Sequence, residues 1–310
     1  MWHEFLVILS EVTLSLYPTL IKVVDSSVVL QVVFRMLVFT VMAFVCAVAT
    51  KTPMTFAQFL TAESPLTGLL NLVHVGSSYV AFESLAGGNA MSLFYIYPFL
   101  NLIGASALLG ETVPMTSVPW LLLAFFGAVL VAQPSPTDWS LFGVLAALVA
   151  AATETGIYLW FKQAPKDKLS ESQETQKSKE SQESQESQES QEPWTKMFQM
   201  YGSSGLLLLV GSLVLLGLNY IKPGLFMTSG SNITKMVLFN SLIGFAGYAL
   251  RFYLIPNVST IVFSTLSFFG VLSAYLFGWA FSNEIPTLAQ GLGAAAIIAA
   301  NTVLLRKEIA

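Results

Sequence analysis

Charge is what this sequence has least of. Only 10% of its 310 residues are charged, against about 25% in an ordinary soluble domain. Even that share is concentrated, because residues 165–193 hold four Lys and eight acidic residues out of 14 basic and 18 acidic in the chain. So few charges cannot cover a water-exposed surface, which excludes a soluble globular protein and points to an integral membrane protein. Cysteine is nearly absent too. Cys46 stands alone, so no internal disulfide can form and cysteine usage says nothing of redox compartment. The net charge of −4 arises wholly within 165–193, and no basic surface points to nucleic acid. Also lacking are a His/Cys/Asp cluster at ligand spacing, a nucleophile–base motif and a Gly-rich phosphate loop. The expectation is a chain that is not an enzyme and carries no cofactor. Met1-Trp2-His3-Glu4 has no Lys or Arg and no small-residue cleavage site follows, so a cleaved signal peptide is not expected.

What is abundant is apolar sequence, 55% of the chain. A membrane-crossing helix needs roughly 20 mostly apolar residues. Ten runs qualify, at about 5–21, 28–50, 65–85, 89–110, 115–133, 139–161, 197–218, 236–254, 257–281 and 287–305. Turn or charge signals separate them, such as Ser64-Pro65, Gly87-Gly88-Asn89 and Gln133-Pro134-Ser135-Pro136. Only helices or closed barrels satisfy the backbone in lipid, and runs without strict alternation mean helices. An even number of spans puts both termini on one side. With the N-terminus cytoplasmic, ten Lys/Arg, Arg251 among them, fall inside and three (Lys22, Lys222, Lys235) outside, so both termini are expected in the cytoplasm of a plasma-membrane or organelle protein. Residues 166–192 form a Ser-Gln-Glu array with almost no apolar side chain. Ordering it would cost entropy with little burial in return, and it reads as a disordered cytoplasmic loop.

The halves on either side of that loop look alike. The first repeat is 1–134. The second starts with a helix in 135–164 and, after the loop at 165–193, continues through 194–305, leaving a cytoplasmic tail at 306–310. Span four ends in the stretch Tyr97-Pro98 through Leu109-Gly110-Glu111-Thr112-Val113-Pro114, and span nine closes on Asn283-Glu284-Ile285-Pro286. Spans one and six each carry a Glu and end in Lys, as Glu11 with Lys22 and Glu154 with Lys162. An odd number of spans per half inverts the second, so the fold class is an all-α membrane protein built as two inverted five-helix repeats, with a substrate site between them.

These residues resemble the EamA-like family of the drug/metabolite transporter superfamily. The likeness is carried by Pro18, Lys22, Phe34-Arg35, Tyr97-Pro98 through Gly110-Glu111, Gly127 through Pro134, and Gly278 through Thr287 with Gly291-Leu292-Gly293-Ala294. It implies a multi-pass carrier of small metabolites. Ser10-Glu11-Val12-Thr13 and Thr153-Glu154-Thr155 also resemble the first helix of the small multidrug resistance family, in which a membrane Glu binds protons and substrate in turn.

Ionisable side chains deep in a span cost at least about 2.5–3.5 kcal/mol when unpaired and facing lipid, so those that remain are the candidates for function. Glu11 and Glu154, on pseudo-equivalent spans, form a potential proton-exchanging pair, or else hold helices together through Lys, Arg or Tyr. Arg35 pairs with Glu11 or Asp25, snorkels outward, or binds an anionic group. His74 handles protons or makes an interhelical hydrogen bond. Ser92, Tyr95 and Asn101 are expected to share one helix face and line a cavity. Pro18 and Pro98 should kink their helices or free a carbonyl. Glu111 and Glu284 should tie the following helix start through its N–H groups, with a gate as the other reading. Gly291, Ala295 and Ala299 form a stripe suited to close packing and to a homodimer face.

The reading drawn from these residues is a secondary transporter of a small-molecule substrate, working by alternating access in the lipid bilayer, with proton coupling at Glu11 and Glu154. Two alternatives stay open: an organellar antiporter for anionic substrates such as sugar nucleotides or sugar phosphates, and a non-transporting membrane scaffold or receptor.

Overall fold

The computed structural model describes residues 2–17, 24–52, 63–85, 87–134, 137, 139–163, 180–282 and 287–309, with backbone alone at 87, 180–192, 278–282 and 307–309. Among the described residues every regular element is helical. The helices are α1 (Trp2–Leu14), α2 (Val28–Ala49), α3 (Glu63–Ser84), α4 (Gly87–Phe94), α5 (Tyr97–Leu109), α6 (Val118–Ala132) and α7 (Leu141–Lys162). After the Ser-Gln-Glu array come α8 (Glu180–Gly217), α9 (Gly230–Leu238), α10 (Ala246–Leu254), α11 (Thr260–Leu266), α12 (Phe269–Ser282) and α13 (Leu288–Ile309). Serines start several of them. Ser27, Ser140, Ser229 and Ser259 each accept from a backbone N–H three residues on, at the heads of α2, α7, α9 and α11, supplying an acceptor for a donor that the helix end otherwise leaves unpaired.

Among the described residues, seven stretches are long and apolar enough to cross a membrane: Val28–Ala49, Gly88–Leu109, Leu141–Lys162, Pro193–Gly217, Gly230–Asn257, Thr260–Phe277 and Leu288–Arg306. The sequence pattern suggests ten. The difference lies in α1, with 13 residues, in α6, with 15, and in α3, which has the length but carries Glu63, Asn71, His74 and Glu83. The outward faces are apolar. Leu37, Val41, Phe44, Val45 and Val48 form one exposed stripe on α2, and Leu206, Leu209, Val210 and Leu213 another on α8. Such a surface suits hydrocarbon and is consistent with an integral membrane protein.

Helices from the two ends of the chain interleave: α1 packs along α10, α3 along α7, α6 along α13, and α8 across α2 and α3. The α6–α13 crossing is close on both sides. A Cβ on Gly127 would lie 2.7 Å from Gly293 O, and one on Gly293 2.5 Å from Gly127 O, so each backbone occupies the other's side-chain space. The Gly291/Ala295/Ala299 stripe is on the exposed face of α13, away from this crossing.

Three spans are irregular inside. Between α4 and α5 the chain turns at Tyr95-Ile96, where Ile96 N donates to Leu93 O at 3.3 Å, a tightened turn three residues ahead of Pro98. Pro98 has no N–H and its ring clashes with the carbonyl four residues back. Between α11 and α12 a second turn falls at Ser267-Phe268. Between α9 and α10 the backbone widens into a π-helix, Phe239–Phe245. At the other extreme, residues 180–192 of the Ser-Gln-Glu array continue α8 as helical backbone before Pro193, where an unstructured loop is expected. Glu and Gln have good helix propensity and α8 supplies the nucleus. Residues 164–179 lie outside the described residues.

Candidate functional site

Four ionisable side chains meet inside the helices. Glu11 comes from α1, His74 from α3, Glu154 from α7 and Arg251 from α10; all are buried. Arg251 holds the centre. Its Nη1 donates to Glu11 Oε1, and its Nη2 stands 2.6 Å from Glu154 Oε1, so one guanidinium spans both carboxylates. Its flat faces lie against Tyr97 and Phe263, at 5.1 and 5.2 Å from the ring centroids. Ser267 Oγ, at the α11–α12 turn, donates to Glu11 Oε1 at 3.5 Å. Ser10 Oγ donates to Gly247 O at 3.0 Å, fixing α1 against α10.

His74 completes the group. Its Nδ1 is 3.1 Å from Ala150 O, and a carbonyl oxygen only accepts, so Nδ1 carries the hydrogen. Nε2 then faces Glu154 Oε2 at 3.2 Å. The approach is oblique, and Oε2 accepts no well-aligned hydrogen bond. A bare imidazole lone pair against a carboxylate oxygen is repulsive. One proton between the two, on either atom, turns the contact attractive.

Glu11, Glu154 and Arg251 wall a cavity of about 70 Å³ that Arg35, Tyr95 and Tyr97 also help to line, with His74 behind Glu154. The α4–α5 turn brings Tyr95 and Tyr97 to it, and Gly270 beyond the α11–α12 turn leaves room: a Cβ there would sit 2.1 Å from Tyr95 Oη and 3.2 Å from Glu11 Oε2. At one side of the cavity Tyr79 Oη donates to Tyr17 Oη at 3.2 Å, and Tyr17 Oη to Asn240 Oδ1 at 2.5 Å. Both tyrosines also line a second, smaller pocket with Asn240, so their pair partitions the two spaces. Asn240 sits in the π-helix, an irregularity frequent at functional sites.

Several expectations change. Arg251, counted with the cytoplasmic charges, is buried at 4% exposure, which leaves nine Lys/Arg against three. Its place at the end of an apolar run, five residues before Pro256, makes it read as an interface charge. The signal that would have found it is arithmetic: two intramembrane carboxylates face a single recognised arginine. Arg35 pairs with neither Glu11 nor Asp25 and does not snorkel. Its guanidinium packs against Tyr17, Phe39 and Tyr248 at 4.7–5.3 Å, and among the described residues Nε and Nη2 have no well-aligned acceptor. Ser92 and Asn101 do not line the cavity beside Tyr95; their polar side-chain atoms are buried without partners. The tightened turn at Tyr95-Ile96 changes the helix phase, so spacings of three and six no longer keep one face. Glu111 caps no helix. Its Oε2 accepts from Thr260 Oγ1 at 2.5 Å, and its Oε1 faces Lys162 Nζ at 3.5 Å. Lys162 Nζ also donates to Val258 O at 2.5 Å, joining the ends of α5, α7 and α10 to the start of α11. Pro18, Lys22 and Glu284 lie outside the described residues. Among the described residues, no group of three His, Cys, Asp or Glu is placed to hold a metal ion.

No family model matches this chain, and no curated protein matches it. A solved structure described only as the crystal structure of a protein is similar in fold. The likeness covers 98% of each chain with a TM-score of 0.69 at 15% identity. At that identity the likeness shows a shared fold and nothing of activity.

Proposed function

We propose that this chain is a secondary transporter of the EamA-like kind, moving a small metabolite through the bilayer by alternating access with a proton as coupling ion. The observation that carries the reading is the Glu11–Arg251–Glu154–His74 cluster: titratable groups from four helices, shielded from lipid and bordering a cavity. Ionisable side chains at such depth serve substrate and proton pathways in membrane proteins.

Ten spans in two inverted halves accommodate the remaining features. In that arrangement Glu111, Lys162 and Thr260 come to one face of the bilayer, as their mutual contacts require. Gln133 and Thr287, hydrogen-bonded at 2.5 Å, come to the other. The fourth and ninth spans are both broken within their length, at Tyr95-Ile96 and Ser267-Phe268. Paired breaks in corresponding segments of two halves are a pointer to a transporter binding site. Glu11 and Glu154 come from the corresponding first helices, and the last helices α6 and α13 cross through reciprocal glycines.

The test is uptake by the purified protein in proteoliposomes under an imposed pH gradient, for the wild type and for Glu11→Gln and Glu154→Gln. Uptake that follows the gradient in the wild type and loses that dependence in Glu154→Gln supports the reading. A protein that moves no solute in either direction, while binding partners through residues 166–192, would favour the scaffold instead.

A further inference from the structure

The buried charges of the cavity cancel as a sum, two arginines against two glutamates, but not as pairs. Arg251 takes both carboxylates, Glu11 through Nη1 and Glu154 through Nη2. That leaves Arg35 as a buried positive charge without a carboxylate of its own. It is 2% exposed, lines the same cavity, and has no carboxylate within ion-pair distance among the described residues. Aromatic rings hold it in place of an anion: the Tyr17 and Tyr248 ring centroids are 4.8 and 4.7 Å from its central carbon, and the Tyr79 and Tyr201 hydroxyls lie beside it. Ring contacts stabilise a cation without satisfying its N–H groups.

The two nitrogens without a well-aligned acceptor among the described residues are Nε and Nη2. They are neighbours on one edge of the guanidinium, and their parallel N–H bonds match the two oxygens of a carboxylate. Neither is exposed in this conformation, so a ring at the cavity wall must swing aside to admit an acceptor. Leu14, Phe82, Met91 and Phe94 supply an apolar lining. A space of about 70 Å³ is far below the roughly 300–1,000 Å³ of pockets for larger ligands.

We infer that Arg35 is the substrate-binding residue for a short-chain monocarboxylate, which occupies the cavity together with the proton held between His74 and Glu154. This deepens the transporter reading and rests on it for the movement of solute, though not for binding. The charges close with both guests present. Arg35 meets the carboxylate, Arg251 meets Glu11, and the proton meets Glu154, so the loaded centre is neutral and suited to cross a low-dielectric region. With the proton gone the carboxylate makes the centre negative, and each guest therefore favours the other. The groups facing the shared proton are Glu11 from α1, Arg251 from α10, Tyr97 from α5 and Arg35 from α2, none of which removes this coupling.

Binding to the purified protein is measured first, with butyrate, butylamine and inorganic phosphate as probes. Butyrate should bind more tightly as the pH falls, and the other two should not compete with it. Arg35→Gln should weaken butyrate binding by roughly tenfold to a hundredfold, as expected for hydrogen bonds to a charged group. Arg35→Lys, which keeps the charge but loses the two-pronged edge, should fall between. In Glu154→Gln the affinity for butyrate, whatever its level, should no longer change with pH. In proteoliposomes, butyrate uptake should follow the pH gradient and ignore a membrane potential set by potassium and valinomycin. Butyrate binding that Arg35→Gln leaves unchanged overturns the inference, as does preference for butylamine or phosphate, or potential-driven butyrate uptake. If butyrate binds through Arg35 but no solute crosses the membrane, the binding site stands and the transporter reading fails. If solutes cross but butyrate neither binds nor competes, the reverse holds.

Discussion

Arg251 carries more of the site than any other single residue. It spans Glu11 and Glu154 from one planar group, so removing it leaves two carboxylates facing each other in an apolar interior. Breaking a buried pair costs about 3–5 kcal/mol because the surviving charge is uncompensated. Arg251→Leu should therefore fail to accumulate as folded protein, while Arg251→Leu combined with Glu11→Gln and Glu154→Gln should recover it. Thermal unfolding of the detergent-purified variants decides the point: a triple variant no more stable than Arg251→Leu alone would show that Arg251 holds the fold by packing against Tyr97 and Phe263 rather than by charge. Glu11, Glu154 and His74 were legible in the sequence because each interrupts an apolar run, where an ionisable group needs a reason to stay. Arg251 was not, since an arginine near the end of a span is the common signature of an interface. Arg35 was visible as a residue and misjudged in its partner, because Tyr17, past the end of α1, and Tyr248 of α10 join Phe39 in holding it and neither tyrosine lies near it in sequence.

At the scale of elements, the helical architecture and its apolar outer faces follow directly from composition, whereas the breaks do not. Pro98 announces the first break. The turn at Ser267-Phe268 has no proline, and Val271 stands three residues on, so nothing in the local pattern marks it. Its position is set by tertiary contact, with Gly270 lying where the Tyr95 hydroxyl and Glu11 need space. Gly270→Ala should accordingly displace Tyr95, because an added Cβ would lie 2.1 Å from its Oη; overpacking of this kind costs about 1–3 kcal/mol. Replacing Tyr95 by Phe in the same chain removes the clashing oxygen and should restore most of the lost stability and uptake. A double variant no better than Gly270→Ala would place the strain in the backbone turn instead. The same dependence on tertiary contact explains why Ser92, Tyr95 and Asn101 do not share a face: helical spacing predicts a common side only while the helix is continuous.

For the molecule as a whole, alternating access requires one end to open while the other closes, and the two ends are tied differently. The Tyr17–Tyr79–Asn240 end is neutral and hydrogen-bonded. The other end is held by Glu111, Lys162, Thr260 and Val258 O, a charged latch among four chain segments. A charge-assisted hydrogen bond of this kind contributes about 1.5 kcal/mol, so losing one should shift the population open at that end by roughly tenfold. Ser264 is a reporter for it, being fully buried on α11 between Thr260 and the turn that touches Glu11, with an unpartnered hydroxyl. Because Cys46 is the single cysteine, Cys46→Ala clears the background for Ser264→Cys. Reaction of that cysteine with a membrane-impermeant maleimide, applied from the Glu111 side, should be slow in the otherwise wild-type chain. It should be about ten times faster once Glu111→Gln weakens the latch. Labelling unchanged by Glu111→Gln and by Lys162→Gln would mean that this end does not open through the latch. The conformational change would then have to run through the tyrosine pair alone, and a carrier with one moving end cannot alternate.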